Sequence, residues 1–378
     1  MISRIIFMSV ASIALLGISY FTSKMYVLGF QLSAGVSRSA FVVFLLIPLL
    51  FIASMILSRS ASFPFGSFGY TAVHILSGFG LYLFFGAIIL SLVIIACALT
   101  NTTIPLFIPW FIVSLSLLLG IIGLIQARSI VVTPYTVILQ NAPESWNGKT
   151  AVLVTDTHFG LVNSKKFSDK VVTKILSLNP DFVLHAGDFY DGPHIDTLPI
   201  TESWSRLTSS IPVFYAPGNH EGYGTYAAFM DSARAANITV LEDSKTEYEG
   251  VQIAGITYRD GKENTDATKA IEGLALTPSM PSILINHPPT SLPAIYKNGV
   301  DLMVSGHTHN GQFWPLNYVT RAVYGIYSYG LNTYVPPLSP EDSSAPTQVL
   351  TSRGVGTFGP PFRTFNQSEL VLITFKTK

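Results

Sequence analysis

The acidic residues of this chain are confined to one part of it. All 22 Asp and Glu lie from Glu144 onward, and residues 1–143 contain none. Before Ser129 the only cations are Arg4, Lys24, Arg38, Arg59 and Arg128. Soluble domains carry roughly a quarter charged residues, so a stretch this long and this poor in charge must find an apolar environment. Four apolar runs, 5–21, 40–57, 74–99 and 104–125, point to a bilayer. A helix needs about 20 apolar residues, within a range of about 17–25, to cross the hydrocarbon core. The first run is at the short limit and the third is long enough to tilt. A cleaved leader fits poorly, because YFTSK offers no small-residue cleavage site and three more apolar runs follow. The sequence therefore predicts a four-helix transmembrane region over residues 1–128 and a separate region over 129–378. Gly78, Gly80 and Gly86 in the third run would let helices approach closely, and His74 reads as a helix-packing residue. The lack of any acid in these helices argues against an ion or proton relay.

From Ser129 the texture changes. SIVVTPYTVILQ is β-branched, with Pro134 suited to an edge or turn. Short apolar runs then recur, each ending in a polar cluster: TAVLVTDTH, DFVLHAGDFYDG, IPVFYAPGNHE, SILINHPP and DLMVSGHTH. Such runs without alternation predict strands buried on both faces. Helix-like stretches at 165–178, 225–237 and 264–276 separate several of them, and VQIAGITY, QVLTSRGVG and ELVLITF add strands. Strand–helix alternation predicts an α/β domain.

Each of the five polar clusters carries metal-binding residue types. In order they are Asp156 and His158, Asp188 and Asp191, Asn219 and His220, His287, then His307 and His309. In an α/β fold, loops at the carboxyl ends of neighbouring strands gather at one place. Mixed imidazole and carboxylate donors suit Mn²⁺, Fe or Zn²⁺ better than Ca²⁺ or Mg²⁺ alone. Glycines before Asp188, Asn219 and His307 would let the backbone bring these side chains inward. His185 and His194 fall outside the pattern and read as structural or supporting residues. Arg353 and Arg363 could reach a phosphate or pair structurally. Phe159, Phe189, Tyr190, Phe313 and Trp314 flank the clusters as core or as ligand contacts. The single cysteine, Cys97, excludes a disulfide framework or thiolate metal site. A formal charge of zero argues against nucleic acid as a partner.

The ordered set D-x-H, G-D-x-x-D, G-N-H-E, H and G-H-T-H resembles the calcineurin-like metallophosphoesterases, from about residue 130 to the end. The tail TSRGVGTFGPPFRTFNQSELVLITF resembles the close of a membrane-associated bacterial subgroup, the YkuE-like phosphohydrolases, with Ser368 where that subgroup commonly has Pro before the Glu. The resemblance implies an α/β/β/α sandwich domain and two divalent metal ions, with Mn²⁺ favoured over Fe, Zn²⁺ or Co²⁺. One ion would take Asp156, His158, Asp188 and His309; the other would take Asp188, Asn219, His287 and His307. Asp188 would bridge them, and the pair would hold a hydroxide for attack on phosphorus. His220 would be the proton-transfer residue, held by Asp191.

These readings converge on a membrane-anchored phosphohydrolase acting on a phosphodiester or pyrophosphate, with a lipid-linked or nucleotide-linked phosphoester as substrate. A phosphomonoesterase or protein phosphatase is the alternative within the resemblance, but protein phosphatases carry Arg where Gly192 follows Asp191. A non-catalytic membrane sensor or scaffold is the alternative outside it, weakened because no expected ligand is missing. With four spans, Arg4, Arg59 and Arg128 share one side, so the positive-inside bias favours a cytoplasmic catalytic domain in a bacterial cell membrane. The oligomeric state is left open.

Overall fold

The computed structural model describes residues 2–58, 66–192, 195–258, 267–336 and 345–378, with the side chains of residues 1–9 and Ala11 outside that description. By packing, the chain divides into two units: Met1–Ile125 with Gly359–Thr364, and Gln126–Phe358 with Phe365–Lys378.

The first unit is built on helices α1 (Ile2–Gly29), α2 (Ala34–Leu57), α3 (Gly66–Leu99) and α4 (Phe107–Arg128). Among the described residues three helices, α2, α3 and α4, are long and apolar enough to cross a membrane. The fourth expected span, the run at 5–21, lies in α1, whose first side chains fall outside the described residues. Helices α1, α3 and α4 approach closely at Gly86, where a Cβ would meet the Tyr26 and Ser116 hydroxyls at 2.6 Å. Gly80 makes no such approach, with Ile47 at an ordinary 3.4 Å. His74 stacks on Tyr70 and packs against Phe51, with ring centroids 4.1 and 4.9 Å away.

Residues 359–364 belong with these helices, although the sequence places everything after 128 in the second region. The Phe362 ring occupies the space a side chain at Gly78 would need and packs against Phe79 and Tyr82. The Arg363 backbone N–H donates to Gly123 O at 2.9 Å, and the Thr364 hydroxyl shares a hydrogen bond with Tyr82. A short polar segment among apolar helices must have its backbone groups satisfied, and the Gly123 carbonyl does part of this.

The second unit contains two six-stranded sheets. One holds β1 (Val131–Leu139), β2 (Thr150–Val154), β3 (Phe182–His185), β4 (Val213–Tyr215), β5 (Thr239–Val240) and β12 (Glu369–Thr377). The other holds β6 (Ser244–Tyr248), β7 (Val251–Ile256), β8 (Ser282–Asn286), β9 (Leu302–Ser305), β10 (Gly330–Tyr334) and β11 (Thr347–Thr351). Their orders are β1-β12-β2-β3-β4-β5 and β10-β11-β9-β8-β7-β6. β2, β3, β4 and β5 run parallel, as do β7, β8, β9 and β11. Pro134 sits in edge strand β1, where its missing N–H costs no ladder bond on the open side.

The strands are buried on both faces because each face meets a different layer. Ala151, Leu153, Phe182, Leu184, Ile283, Ile285, Leu302 and Val304 fill the space between the sheets. Their neighbours Val152, Val154 and Val183 point outward to α5 (Lys165–Leu178), α6 (Leu198–Thr208) and α7 (Tyr226–Ala235). On the second sheet Ala254, Leu284 and Met303 pack against α8 (Thr268–Gly273) and α9 (Leu292–Lys297). Each fully buried Val, Leu or Phe contributes about 1.5–3 kcal/mol, so one-residue register slips are strongly disfavoured. Helix α5 shows the local logic. Phe167, Val171, Val172 and Ile175 form one buried face, and Asn179 ends the helix in a left-handed conformation, φ 46°, before Pro180. The remaining helix is α10 (Asn317–Tyr324), none of whose residues is buried.

Candidate metal centre

Asp156 and His158 follow β2, Asp188 follows β3, Asn219 and His220 follow β4, His287 follows β8, and His307 and His309 follow β9. All five strands present their carboxyl ends, so one cluster draws residues from both sheets. The backbone there is unusual. Asp156, His158, Asp188, His307 and His309 all have positive φ, between 46° and 67°. Non-glycine residues rarely adopt this conformation, and each costs roughly 1–3 kcal/mol unless its surroundings hold it. Here the loops turn back sharply and aim their side chains into the gap. Gly187 also has positive φ, and a Cβ on it would meet His287 Nδ1 at 2.5 Å. Gly218 and Gly306 serve differently, as points where backbone passes directly against the Asp188 and Asp156 carboxylates.

The side chains fall into three groups whose donor atoms lie within 4.8 Å of one another. The first is Asp156, His158 and His309, with His158 Nε2 3.1 Å from His309 Nε2, and His309 Nε2 3.2 Å from Asp156 Oδ1. The second is Asp188, His287 and His307. There His287 Nε2 lies 3.1 Å from Asp188 Oδ2, and Asn219 Oδ1 joins at 2.9 Å from His307 Nδ1. Asp188 Oδ2 faces both sets, because it is also 3.7 Å from His158 Nε2. Its other oxygen, Oδ1, accepts from the His220 backbone N–H at 2.8 Å, which fixes the carboxylate's rotation. The third group is His158, Asp191 and His220, in which His220 Nδ1 is 2.9 Å from Asp191 Oδ1.

Two donors each about 2.1 Å from one cation stand about 3.0–3.4 Å apart at octahedral to tetrahedral angles. The spacings in the first two groups fit this. So does His287 Nε2, which is buried and close to a carboxylate oxygen yet outside hydrogen-bond geometry. Its Nδ1 lies 2.6 Å from the Ala186 carbonyl, a partner that fixes the tautomer and leaves Nε2 as the donor.

Without cations the site places protons where it needs positive charge. Burial would lower His287, but Asp188 and Asp156 outweigh it and raise it to about 9. Burial is likewise outweighed at His220, which Asp188 and Asp191 raise to about 10. Burial and the charge on His220 press His158 down to about 4, while burial and His287 press His307 down to about 3. Burial pushes Asp156 up to about 6.

Residues 149–311 match the family model for calcineurin-like phosphoesterases. This stretch is a metallophosphoesterase domain. Its family uses divalent metals. The chain is 29% identical over 234 residues to an uncharacterized metallophosphoesterase of Campylobacter jejuni, covering 60% of this chain and 59% of the relative. It is 26% identical to a transmembrane protein with metallophosphoesterase domain from Danio rerio, covering 68% of this chain and 60% of the relative. The chain thus spans less than two thirds of either protein. Against the metallophosphoesterase YkuE of Bacillus subtilis it is 23% identical over 67% of this chain and 88% of the relative.

All nine polar residues singled out in the sequence motifs of the metallophosphoesterase domain gather in this one place. The other candidates separate from them. His185 is buried against Phe189, Trp204 and Tyr215, and burial pushes it down to about 3, so it stays neutral in the core. His194 lies outside the described residues. Arg353 pairs with Glu369 at 3.0 Å, and that carboxylate also accepts from Thr133, Tyr329 and Ser352. Arg363 is buried in the helical unit. Phe159, Phe189 and Tyr190 are core, and Phe313 is buried, whereas Trp314 is exposed.

Two residues of the site were missed by the sequence reading. Glu221 is buried and accepts from the backbone N–H groups of Phe189, Tyr190 and Gly218 at 2.6, 3.0 and 2.6 Å. It braces the loop carrying Asp188 and Asp191 to the loop carrying Asn219. Its place in G-N-H-E was the available signal. Phe358 is half exposed and packs edge-on against His220, ring centroids 5.1 Å apart, with nothing in its local sequence to mark it.

Proposed function

We propose that this chain is a membrane-anchored, dinuclear-metal phosphohydrolase that cleaves phosphodiester or pyrophosphate bonds, anchored by four spans that include α1. The observation that supports it best is the convergence of two donor sets on one oxygen, Asp188 Oδ2. Asp156, His158, Asp188 and His309 would hold one divalent cation, and Asp188, Asn219, His287 and His307 the other, with Mn²⁺ favoured. Two cations so held supply Lewis-acid stabilisation of the phosphoryl oxygens and a nucleophile from water at neutral pH.

The protein's own groups account for the rest. The His220 backbone N–H and the braces from Glu221 hold Asp188 in rotation, so its shared oxygen needs no reorganisation during turnover. Asp191 accepts from His220 Nδ1–H and leaves Nε2–H as the outward donor. As water adds to phosphorus and the P–O bond to the departing group breaks, His220 Nε2 gives that oxygen its proton. Phe358 covers one side of the His220 ring and limits water there. The positive-inside bias supports a cytoplasmic site.

The test is a screen of purified protein in detergent against monoesters, diesters, pyrophosphates and lipid phosphates, with each divalent metal. Turnover of diesters or pyrophosphates above monoesters, dependent on metal, is expected. Metal-dependent turnover of monoesters alone would favour the phosphomonoesterase reading, and no turnover with both metals bound would favour a scaffold.

A further inference from the structure

The loop that supplies His307 and His309 leads directly into a group of apolar residues that stand exposed among the described residues. Trp314 follows five residues after His309, and α10 begins at Asn317. Tyr318, Val319 and Val323 on α10 are 64%, 57% and 67% exposed, and Ile326 just beyond it is 54% exposed. Trp314 and Phe365 are also exposed and pack edge-on, with ring centroids 6.2 Å apart. The surface runs back to the metal-ligand cluster through Tyr324, the last residue of α10, whose ring lies 6.1 Å from that of His307. Exposed apolar side chains gathered on one short helix and the segment before it point to a binding surface rather than ordinary solvent-facing protein.

Its chemistry favours one occupant. Between Asp301 and Glu341 the only formally charged residue is Arg321, which is exposed on α10. Aromatic rings, β-branched side chains and a single cation, with no carboxylate, suit the boundary between phospholipid headgroups and acyl chains. Only two residues separate α4, which is long and apolar enough to cross a membrane, from β1, and two residues reach about 7 Å.

We propose that α10, with Trp314, Ile326 and Phe365, lies in the headgroup–acyl boundary of the bilayer, and that the phosphoester presented to the metal-ligand cluster belongs to a lipid held there. The second half rests on the phosphohydrolase reading; the first does not.

The full chain in Cys97→Ser background, with an environment-sensitive fluorophore on Val323→Cys or on the control Lys166→Cys, is reconstituted in phosphatidylcholine–phosphatidylglycerol nanodiscs. The Val323 label should emit to the blue and be quenched by nitroxide acyl chains, while the Lys166 label should behave as in water. Equal behaviour of the two labels overturns the lipid contact. A blue shift without nitroxide quenching also overturns it, and points to protein covering the face, such as a second copy. For the substrate, phosphatidylglycerol and phosphatidic acid in the bilayer are compared with soluble bis(4-nitrophenyl) phosphate. Val319→Asp with Val323→Asp should lower the ratio of lipid to soluble turnover by about tenfold or more, since two apolar contacts are replaced by charges. An unchanged ratio, or wild-type turnover of the soluble ester alone, sinks the lipid substrate. Wild-type protein that hydrolyses neither ester refutes the phosphohydrolase reading, and the label result still decides the membrane contact.

Discussion

Replacing His220 separates proton transfer from metal binding more cleanly than any other change at this site. His220 lies one residue after Asn219, and its ring is turned to Asp191 at 2.9 Å rather than into either cation-spaced group. Its backbone N–H, which holds Asp188, survives any substitution except proline. His220→Gln should therefore keep both metals and lose the acid. Positioned proton transfer is worth roughly 10²–10⁴-fold, or about 3–5 kcal/mol at about 1.4 kcal/mol per decade. That loss should fall on alkyl esters, whose alkoxide leaves poorly without a proton, and barely on nitrophenyl esters. The structure adds a pH signature. Without cations, Asp188 and Asp191 outweigh burial and raise His220; with Asp188 shared between cations, Asp191 still holds it up, and the acid form is lost as pH rises through that raised value. In Asp191→Asn the carboxylate bonded to its ring is gone, so the alkaline limb of kcat/KM for alkyl esters should move to lower pH. The assay is kcat/KM across a leaving-group series and pH on wild type and both variants, with metal content measured. A uniform loss across leaving groups at full metal occupancy, or an alkaline limb that does not move, refutes the acid role.

Asp188→Asn should weaken both metal sites, because one oxygen faces both donor sets; two full metal equivalents by elemental analysis would remove the bridge. Metal binding should release protons, since His287 is protonated below about 9 without metal and must be neutral to ligate. Affinity should then rise about tenfold per pH unit and proton released up to that value, and titration calorimetry in buffers of different ionisation enthalpy counts the protons; a count of zero contradicts the assignment. Glu221→Ala strands three buried N–H groups, at roughly 1–3 kcal/mol each, so the melting temperature should fall by about 6 °C or more at about 2–4 °C per kcal/mol. A melt within a degree of wild type would show that Glu221 braces nothing.

What could be read from the sequence was whatever depends on residue type and order. Uninterrupted apolar runs gave the doubly buried strands β2, β3, β8 and β9, and the polar residues at their ends gave the members of the cluster. The 225–237 helix appears as α7, and α5 occupies the stretch expected at 165–178. The unread parts depend on three-dimensional placement. No propensity puts Asp156, His158, Asp188, His307 and His309 at positive φ; only the packing of neighbouring loops can hold them there. Short edge strands β5, β6 and β10 carry too few apolar residues to show a period. Arg363 looks like a phosphate ligand by type, and only its burial among the helices assigns it elsewhere. Glu369 reads as one more polar residue before an apolar strand, yet from β12 it ties Thr133 of β1 to Tyr329 just before β10 and to Ser352 and Arg353 just after β11, all at one carboxylate.

The seat of Phe362 beside Gly78 imposes an order on how the chain can mature. The helical unit is made from residues 1–125 and from 359–364, so its last piece leaves the ribosome long after its helices. Helices that enter the bilayer early must wait, with the slot at Gly78 unfilled, while more than 230 residues (126–358) are made and close a loop back upon them. Loop closure of that length adds little to the equilibrium cost, which grows only with the logarithm of length, but it sets the sequence of events. A chain stopped before Gly359 would hold inserted helices that are never completed, and quality control that senses open helix packing would see it as unfinished. The segment works as a receipt that translation has passed residue 364.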